Sequence, residues 1–520
     1  MKATKTILKS NTLSFDIAIV GGGSGGLSIA KQMSGGSAKI VVFDFVKPSP
    51  KGSVWGLGGT CTNVGCIPKK IFHTAGVMKD QLQLYSGLGM DVELKSLEFG
   101  NLTNNVQNYI KSLNFLNRTM LMKGGIKYFN ELATFYDNET IISSKKPQTL
   151  IQLLQGEEVK PEDYNVIKFK QAVIAIGGRP VMPKIPGIEH AISSDDVFFI
   201  KDLPKKALIV GGGYIAHECG CYLKHLGADV TIITRGRFMR QFDDQIATRL
   251  HTKFQESGIQ FSGDTAPLEI VKNGDKLTLK ASKKTENGEE QITFDDFDMI
   301  LFAIAREPVT KDLNLNNAFN GQVEVMKDGR FKGMFKNEKE RLAENLYAVG
   351  DCLENVPQLT PVAIRAGRIL SRRLDQRLNG VDKEYPHINY DLFPTTVFTS
   401  PEYSYSGLSE QQAIEKYGKE KVICYHREGS VYEKALSDTD KTTYFKLVCL
   451  KEEDEPILGM HYVGPNAGEV MQGFYVAMTK KLTKKELDET YGIHPIIAED
   501  FIDLNKLNTD PNCGKSTCCS

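Results

Sequence analysis

Cys61 and Cys66 lie in the stretch GGTCTNVGCIPKK, residues 58–70. Two thiols so close in sequence can exchange electrons as a pair, help bind a metal, or pack inertly. Zinc usually takes closer C-x2-C pairs and four ligands in all, and no metal site is expected here. A disulfide needs Cα atoms within about 7 Å. Residues five apart in an ideal helix sit on the order of 8 Å apart. A bridge therefore demands a distorted turn, which Gly65 and Pro68 permit. Lys69 and Lys70 follow directly, and their charge favours a thiolate. A second thiol group ends the chain, NCGKSTCCS, with Cys513, Cys518 and Cys519. Chain ends are normally poorly ordered, whereas a structural cysteine wants burial. These tail thiols are expected either to move for a purpose or to be accidental. His494 and Glu499, in HPIIAED, add a proton carrier. Imidazole exchanges protons near neutrality, and a carboxylate beside it fixes its tautomer.

The flanking elements define what these groups work on. FDIAIV (residues 15–20) reads as a buried parallel strand. GGGSGG follows, then a helical pattern, then IVVFD ending at Asp44. This is a βαβ dinucleotide fingerprint. Gly21 makes the tight turn, Gly23 lets backbone approach a pyrophosphate, and Gly26 lets helix pack on strand. Asp44 stands where an acid binds a ribose diol. The pattern recurs at ALIV-GGGYIA, with Gly211, Gly213 and Ala216 in the fingerprint places. There the strand DVTIIT ends without an acid, and Arg235 holds its position, with Arg237 and Arg240 behind. Arginines accept a 2′-phosphate that a carboxylate would repel. One site is therefore expected to hold FAD and the other NADPH rather than NADH. ENLYAVGDC reads as a strand that places Asp351 at its carboxyl end, within reach of a flavin's ribityl or phosphate region.

Composition narrows the setting. The chain has 520 residues, which suggests about three domains, and 64 basic residues balance 64 acidic ones. A net charge of zero argues against a nucleic-acid partner held by bulk charge. No apolar run approaches the roughly 18 residues of a membrane helix. Ten cysteines in this length do not make a disulfide scaffold. Residues 1–14 lack an apolar core of a signal peptide. The expected location is therefore cytoplasmic; because these residues are basic and free of acids, a mitochondrial presequence is the alternative.

GGTCTNVGCIPKK resembles the active-site motif of the pyridine nucleotide–disulfide oxidoreductases, in the branch of glutathione reductases and high-molecular-weight thioredoxin reductases. The likeness continues through LTPVAIRAGRIL, FPTTVFTSPEYSYSGLSE, GPNAGEVMQGF and GIHPIIAEDF. It implies an α/β fold with two Rossmann-like domains, for FAD and NADPH, and a C-terminal α+β dimerisation domain. The implied boundaries are an extension over 1–14, FAD domain 15–185 and 308–384, NADPH domain 186–307, interface domain 385–505 and a mobile tail 506–520. Cys66 would face the flavin as the thiolate, and Cys61 would attack the next disulfide. Lys69 would sit near the flavin and pair with Glu218. Tyr214 would cover the nicotinamide pocket. Ser24, Gly25, Gly59, Thr60, Lys70, Gly177 and Ile215 join the cofactor-binding set. His494 and Glu499 would serve the flavin site of a second subunit, which makes the enzyme a homodimer. Ile176 and Ala305 depart from the family's usual threonine and glycine. Ser143 to Lys170 is the least familiar stretch and reads as an expanded surface loop or hairpin.

The tail is the most discriminating feature. By resemblance, thioredoxin reductases of the larger type use a C-terminal dithiol arm, which takes electrons from the Cys61–Cys66 pair of the other subunit and carries them out to thioredoxin. Cys518–Cys519 resembles the adjacent pair of the insect enzymes, and Cys513–Cys518 the C-x4-C tail of the malarial ones. The first pairing is favoured, since a strained ring between neighbours is labile. The implied function is NADPH-dependent reduction of thioredoxin. A glutathione-disulfide reductase, and a mercuric-type reductase with the tail cysteines as metal ligands, are the alternatives. Cys219, Cys221, Cys352, Cys424 and Cys449 are expected to pack.

Overall fold

The computed structural model describes residues 8–334, 338–381, 388–436, 442–502, 504, 505 and 507. Cys513, Cys518 and Cys519 lie outside the described residues.

Long apolar runs build two parallel sheets. In the strand Thr12–Val20, Ile17, Ala18 and Ile19 are fully buried. Burial on both faces is what a continuous apolar run, rather than an alternating one, produces. This strand lies between Ile40–Phe43 and Asn165–Ile174, parallel to both, with Ala18 opposite Val41 and Ala172. Leu346–Ala348 then joins Asn165–Ile174 in parallel. The sheet therefore takes strands from distant parts of the chain. The second sheet runs Gln260–Ser262, Asp229–Ile233, Lys206–Val210, Met299–Phe302 and Ile192–Ser193, all parallel. A three-stranded antiparallel sheet, Thr265–Asn273, Lys276–Thr285 and Gly288–Phe297, extends that part of the chain. Both parallel sheets begin with a strand, a glycine turn and a helix, Ser24–Gln32 in one and Tyr214–Leu226 in the other.

The C-terminal part is a five-stranded antiparallel sheet, ordered Pro394–Val397, Glu402–Gly407, Ile457–Gly464, Thr442–Leu450, Val422–Ser430. The helix Ala467–Met478 packs against it, and Phe445, Tyr462 and Phe501 form its aromatic core. The fold class is thus α/β with two Rossmann-like sheets and an α+β C-terminal part. Among the described residues, no helix is long and apolar enough to cross a membrane.

Two residues that depart from the family pattern sit where the chain crosses between the parallel sheets. Arg179–Pro180 pairs antiparallel with Arg306–Glu307. The Ala305 carbonyl accepts from the Val181 N–H at 3.0 Å, so the alanine is accommodated without loss of that bond. Ile176 packs on the first sheet's core.

The expectation for Ser143 to Lys170 needs correction. Residues Pro147–Gln155 form a helix that starts with proline in its first turn and stops at Gly156 in the left-handed region. Thr149, Leu150 and Leu153 point inward. Leu150 and Leu153 join Ile142, Tyr164 and Val166 in a small core. Asn165 onward is already central strand. TLIQLL has both leucines at helical spacing, so the signal was in the sequence. Leu153→Ala is expected to cost about 2–5 kcal/mol locally, read as lost amide hydrogen-exchange protection over 147–155. Unchanged protection would return the segment to a surface loop.

Candidate redox site

Cys61 and Cys66 sit on two helices rather than one. Gly59–Val64 ends at Gly65, whose φ of −145° and ψ of −118° break the helix, and Cys66–Gln81 starts afresh. A Cβ on Gly65 would lie 2.9 Å from the Thr60 carbonyl oxygen, so only glycine fits the break. Pro68 lies in the first turn of the second helix, where a missing N–H costs nothing. Both thiols are free in this structure, and they are close enough to share a hydrogen bond. That bond from Cys61 is the main reason the Cys66 thiol is pulled down to about 6. Burial opposes the shift, and the Lys69 charge and the Thr360 hydroxyl add to it. The proton stays on Cys61, whose thiol is pushed up by its anionic neighbour and by burial. Cys66 is exposed, but only to the cleft that it lines.

Lys69 is buried and forms an ion pair with Glu218, buried in turn on the helix Tyr214–Leu226. Burial alone would pull the ammonium down, and Glu218 more than offsets this, so the net direction is upward. Glu218 also accepts from the Phe398 N–H at 2.8 Å. The Tyr214 ring lies 5.0 Å from the Lys69 ammonium.

These groups face a cleft of about 950 Å³. It is lined by Gly21, Gly23, Ser24, Gly25, Asp44, Gly59, Thr60, Cys61, Cys66, Lys69, Gly177, Tyr214, Ile215, Glu218 and Asp351. Gly21 has φ +118°, and a Cβ there would lie 2.2 Å from the Ala175 carbonyl oxygen. Gly26 packs behind, where a Cβ would lie 2.0 Å from the Gly21 oxygen. The helix Ser24–Gln32 has no side-chain cap at Gly23, so its first amides are open to an anion. Asp44 accepts from the Gly22 N–H at 3.1 Å, while burial pushes its carboxyl up to about 6. A diol donating to Asp44 would relieve that burial. Burial also pushes the Asp351 carboxyl up, against the pull of Arg306 and Arg330. The cradle thus fits FAD: glycines where backbone must approach, amides for the pyrophosphate, a carboxylate for the ribose.

The second fingerprint is built alike. Gly211 has φ +153°, and a Cβ would lie 2.3 Å from the Ala303 oxygen. Gly213 leaves the helix Tyr214–Leu226 without a side-chain cap. Arg235 and Arg240 are exposed beyond the strand Asp229–Ile233, while Arg237 pairs with Asp244. This donor set fits a phosphorylated nicotinamide nucleotide.

Several expected residues lie outside the cleft. Lys70, assigned to the cofactor set, is instead directed to Glu402 at 3.0 Å and to the Phe398 ring at 4.2 Å. It is not among the cleft's lining residues. One helical step past Lys69 turns it about 100° around the axis, which is why adjacent lysines cannot share one face. His494 does pair with Glu499, its Nδ1 3.1 Å from Oε1, but it is exposed and does not line the cleft of its own chain. Cys219, Cys221, Cys352, Cys424 and Cys449 are all buried. Burial pushes their thiols up, to about 12 in Cys219, Cys221, Cys352 and Cys424.

Sequence reasoning missed several cleft residues. Thr360 Oγ1 lies 3.6 Å from Cys66 Sγ, at the start of the helix Thr360–Leu378. That helix N-terminus faces a thiolate, a favourable dipole; the Thr-Pro pair opening LTPVAIRAGRIL was the available sign. Arg306 donates to Thr60 Oγ1 at 3.1 Å and to the buried Asp195 at 2.9 Å, while Arg179 reaches Asp195 at 3.0 Å. Trp55, the chain's only tryptophan, lies under the Arg179 guanidinium at 4.7 Å. No spacing rule connects these distant positions.

Fold and site together define the class: the chain belongs to the pyridine nucleotide-disulphide oxidoreductase family and is a flavoprotein oxidoreductase. The family model matches residues 15–367, and the model of the family's dimerisation domain matches 393–504. Such enzymes use FAD and NAD(P)H. Among similar proteins, Thioredoxin reductase SEP1 of Emiliania huxleyi is 38% identical over 499 residues, 94% of each chain. The thioredoxin reductase of Plasmodium falciparum (isolate FCH-5) is 36% identical, covering 96% of this chain and 90% of its own. Thioredoxin reductase 2, mitochondrial, of Drosophila melanogaster is 37% identical, covering 97% and 94%.

In the reduced enzyme, Cys66 is expected to alkylate with a midpoint near pH 6, while Cys61 holds the proton of the pair until a base removes it. Lys69→Met removes a charge that favours the thiolate, so the Cys66 midpoint should rise. Iodoacetamide labelling against pH, read by peptide mass, checks both. An unshifted Lys69→Met profile would remove the lysine from this role.

Proposed function

We propose that the chain is an NADPH-dependent thioredoxin reductase that works as a homodimer. The observation that carries this reading is the thiol pair across the Gly65 break, with its poised Cys66 beside the buried Lys69–Glu218 pair. The relatives' names and the tail cysteines support thioredoxin as the substrate.

In this reading Gly21, Gly23 and the amides from Ser24 hold the FAD pyrophosphate, and Asp44 holds its ribose. Gly211, Gly213, Arg235 and Arg240 hold NADPH, and Tyr214 and Ile215 border its nicotinamide. Bound FAD supplies the two-electron link from NADPH to the Cys61–Cys66 disulfide. Lys69, kept charged by Glu218, stabilises negative charge beside the pair. Once the pair is a dithiol, Cys61 loses its proton and attacks one sulfur of the tail disulfide of the partner subunit. The other tail sulfur leaves as thiolate, and Cys66 then displaces the tail from Cys61. The Cys61–Cys66 disulfide is thereby re-formed, and its two electrons now sit in the tail dithiol, which passes them to thioredoxin. His494 of a second copy, held by its own Glu499, carries the proton.

Surface chemistry supports the dimer. Tyr491 is fully exposed beside His494, and Ile493 and Val476 are also largely exposed. Large apolar side chains so exposed in the C-terminal part suit a covered interface better than open solvent.

A chain stopped after Asn512 should keep NADPH-driven flavin reduction and lose thioredoxin turnover. Separate Cys513→Ser and Cys519→Ser chains then name the working tail pair. Full thioredoxin turnover by the truncated chain would sink the tail mechanism, and turnover of glutathione disulfide in its place would move the reading to a glutathione reductase. His494→Ala should slow thioredoxin turnover by about 10²–10⁴-fold, with flavin reduction unaffected. A drop below threefold would take the proton role from His494.

A further inference from the structure

The segment from Thr234 to Asp243 carries Arg235 and Arg240, and it is pinned at residues between and after them. The Met239 N–H donates to the Gly212 carbonyl at 2.7 Å, and Met239 is fully buried at φ 54°. Phe238 stacks on His251 with centroids 4.9 Å apart. These contacts come from the nucleotide-binding part itself. The remaining ones do not. Phe242 packs edge-on against Tyr403 and Tyr405 of the C-terminal sheet. Asp243 takes both carboxylate oxygens to Lys446 Nζ, each at 2.9 Å.

Lys446 lies on the interior strand Thr442–Leu450, next to the edge strand Val422–Ser430, and its side chain and that of Asp243 are completely buried. Asp243 also caps the helix Asp244–Glu256, accepting from the Gln245 and Ile246 N–H groups. It accepts the Glu410 N–H at 3.0 Å, and Glu410 reaches Lys446 at 2.7 Å. Burial pushes the Asp243 carboxyl up, but His461 and Lys446 together hold it low, so the pair is charged. A buried, fully hydrogen-bonded ion pair fixes geometry more than it adds stability. Here it fixes the end of the arginine segment, three residues past Arg240.

Resting on the reading of Arg235 and Arg240 as 2′-phosphate contacts, we infer that Lys446 is a positioning residue for NADPH, through which the C-terminal domain sets the preference for NADPH over NADH. Lys446 touches no nucleotide. It holds Asp243, and Asp243 holds the segment whose arginines meet the phosphate. NADH lacks that phosphate, so its binding does not draw on the same registration.

The test is rapid-mixing reduction of the bound flavin in the dimeric holoenzyme by NADPH and by NADH. Lys446→Met keeps length and apolar bulk and removes the charge. It should raise the apparent Kd for NADPH about tenfold and that for NADH less than about twofold. The limiting reduction rate should hold. Equal changes for both nucleotides, or no change for either, would overturn the inference. If the single variant does not fold, Asp243→Asn with Lys446→Met removes both charges of the fully buried pair and is read the same way. Arg240→Gln and Arg235→Gln test the underlying reading separately. If they leave the NADPH-to-NADH ratio alone, the 2′-phosphate assignment fails whatever Lys446 does. If they lower it and the Lys446 variants do not, only the present inference falls.

Discussion

A buried ammonium survives only where a carboxylate meets it, and Lys69 imposes that condition on the whole chain. Leaving a charge unpaired in the interior costs several kcal/mol. The carboxylate comes from Glu218, some 150 residues on, in the second dinucleotide fold. Glu218 is in turn held by the backbone of Phe398, in the C-terminal domain. Three parts of the chain, distant in sequence, thus meet at one charged pair. The Cys66 thiolate sits next to it and gains from the same positive charge. Were the three parts to separate, the lysine and the glutamate would each lose a partner, and the thiolate its nearest cation.

The C-terminal sheet also ties together parts of its own chain. Glu402 on its second strand accepts from Lys70, from His73 and from the Ala467 N–H. Arg249 of the helix after Asp243 reaches Glu428 at 2.7 Å and lies over the Tyr444 ring. The sheet therefore holds the redox helix on one side and the nucleotide-binding part on the other. Most of these bonds join partly or fully buried groups, where hydrogen bonds are electrostatically stronger than in water.

Local chemistry was legible in the sequence wherever it depended on neighbours along the chain. The two glycine fingerprints, Asp44 and the arginines after DVTIIT could be read because turn, helix and strand lie within a few dozen residues. The break at Gly65 was legible because helix geometry forbids the alternative. Asp195 with Arg179 and Arg306 was not, because their approach depends on how the parallel sheets cross. Thr360 reached Cys66 for the same reason, from 294 residues away. The contact of Lys70 with Glu402 was not legible either, because it depends on how the C-terminal sheet packs on the redox helix. The helix Pro147–Gln155 was overlooked because an unfamiliar stretch was read as irregular, although its leucines already repeat at the helical interval.

The position of Trp55 has an optical consequence. It is the only indole in the molecule, it lines the cleft, and a guanidinium rests on its face. Tryptophan emission from the intact protein therefore has a single origin, on the wall of the chamber where the nucleotide cradle and the thiol pair meet. In a chain of this size such light is usually an average over many sites. Here the protein carries one built-in lamp, and it hangs in the reaction chamber.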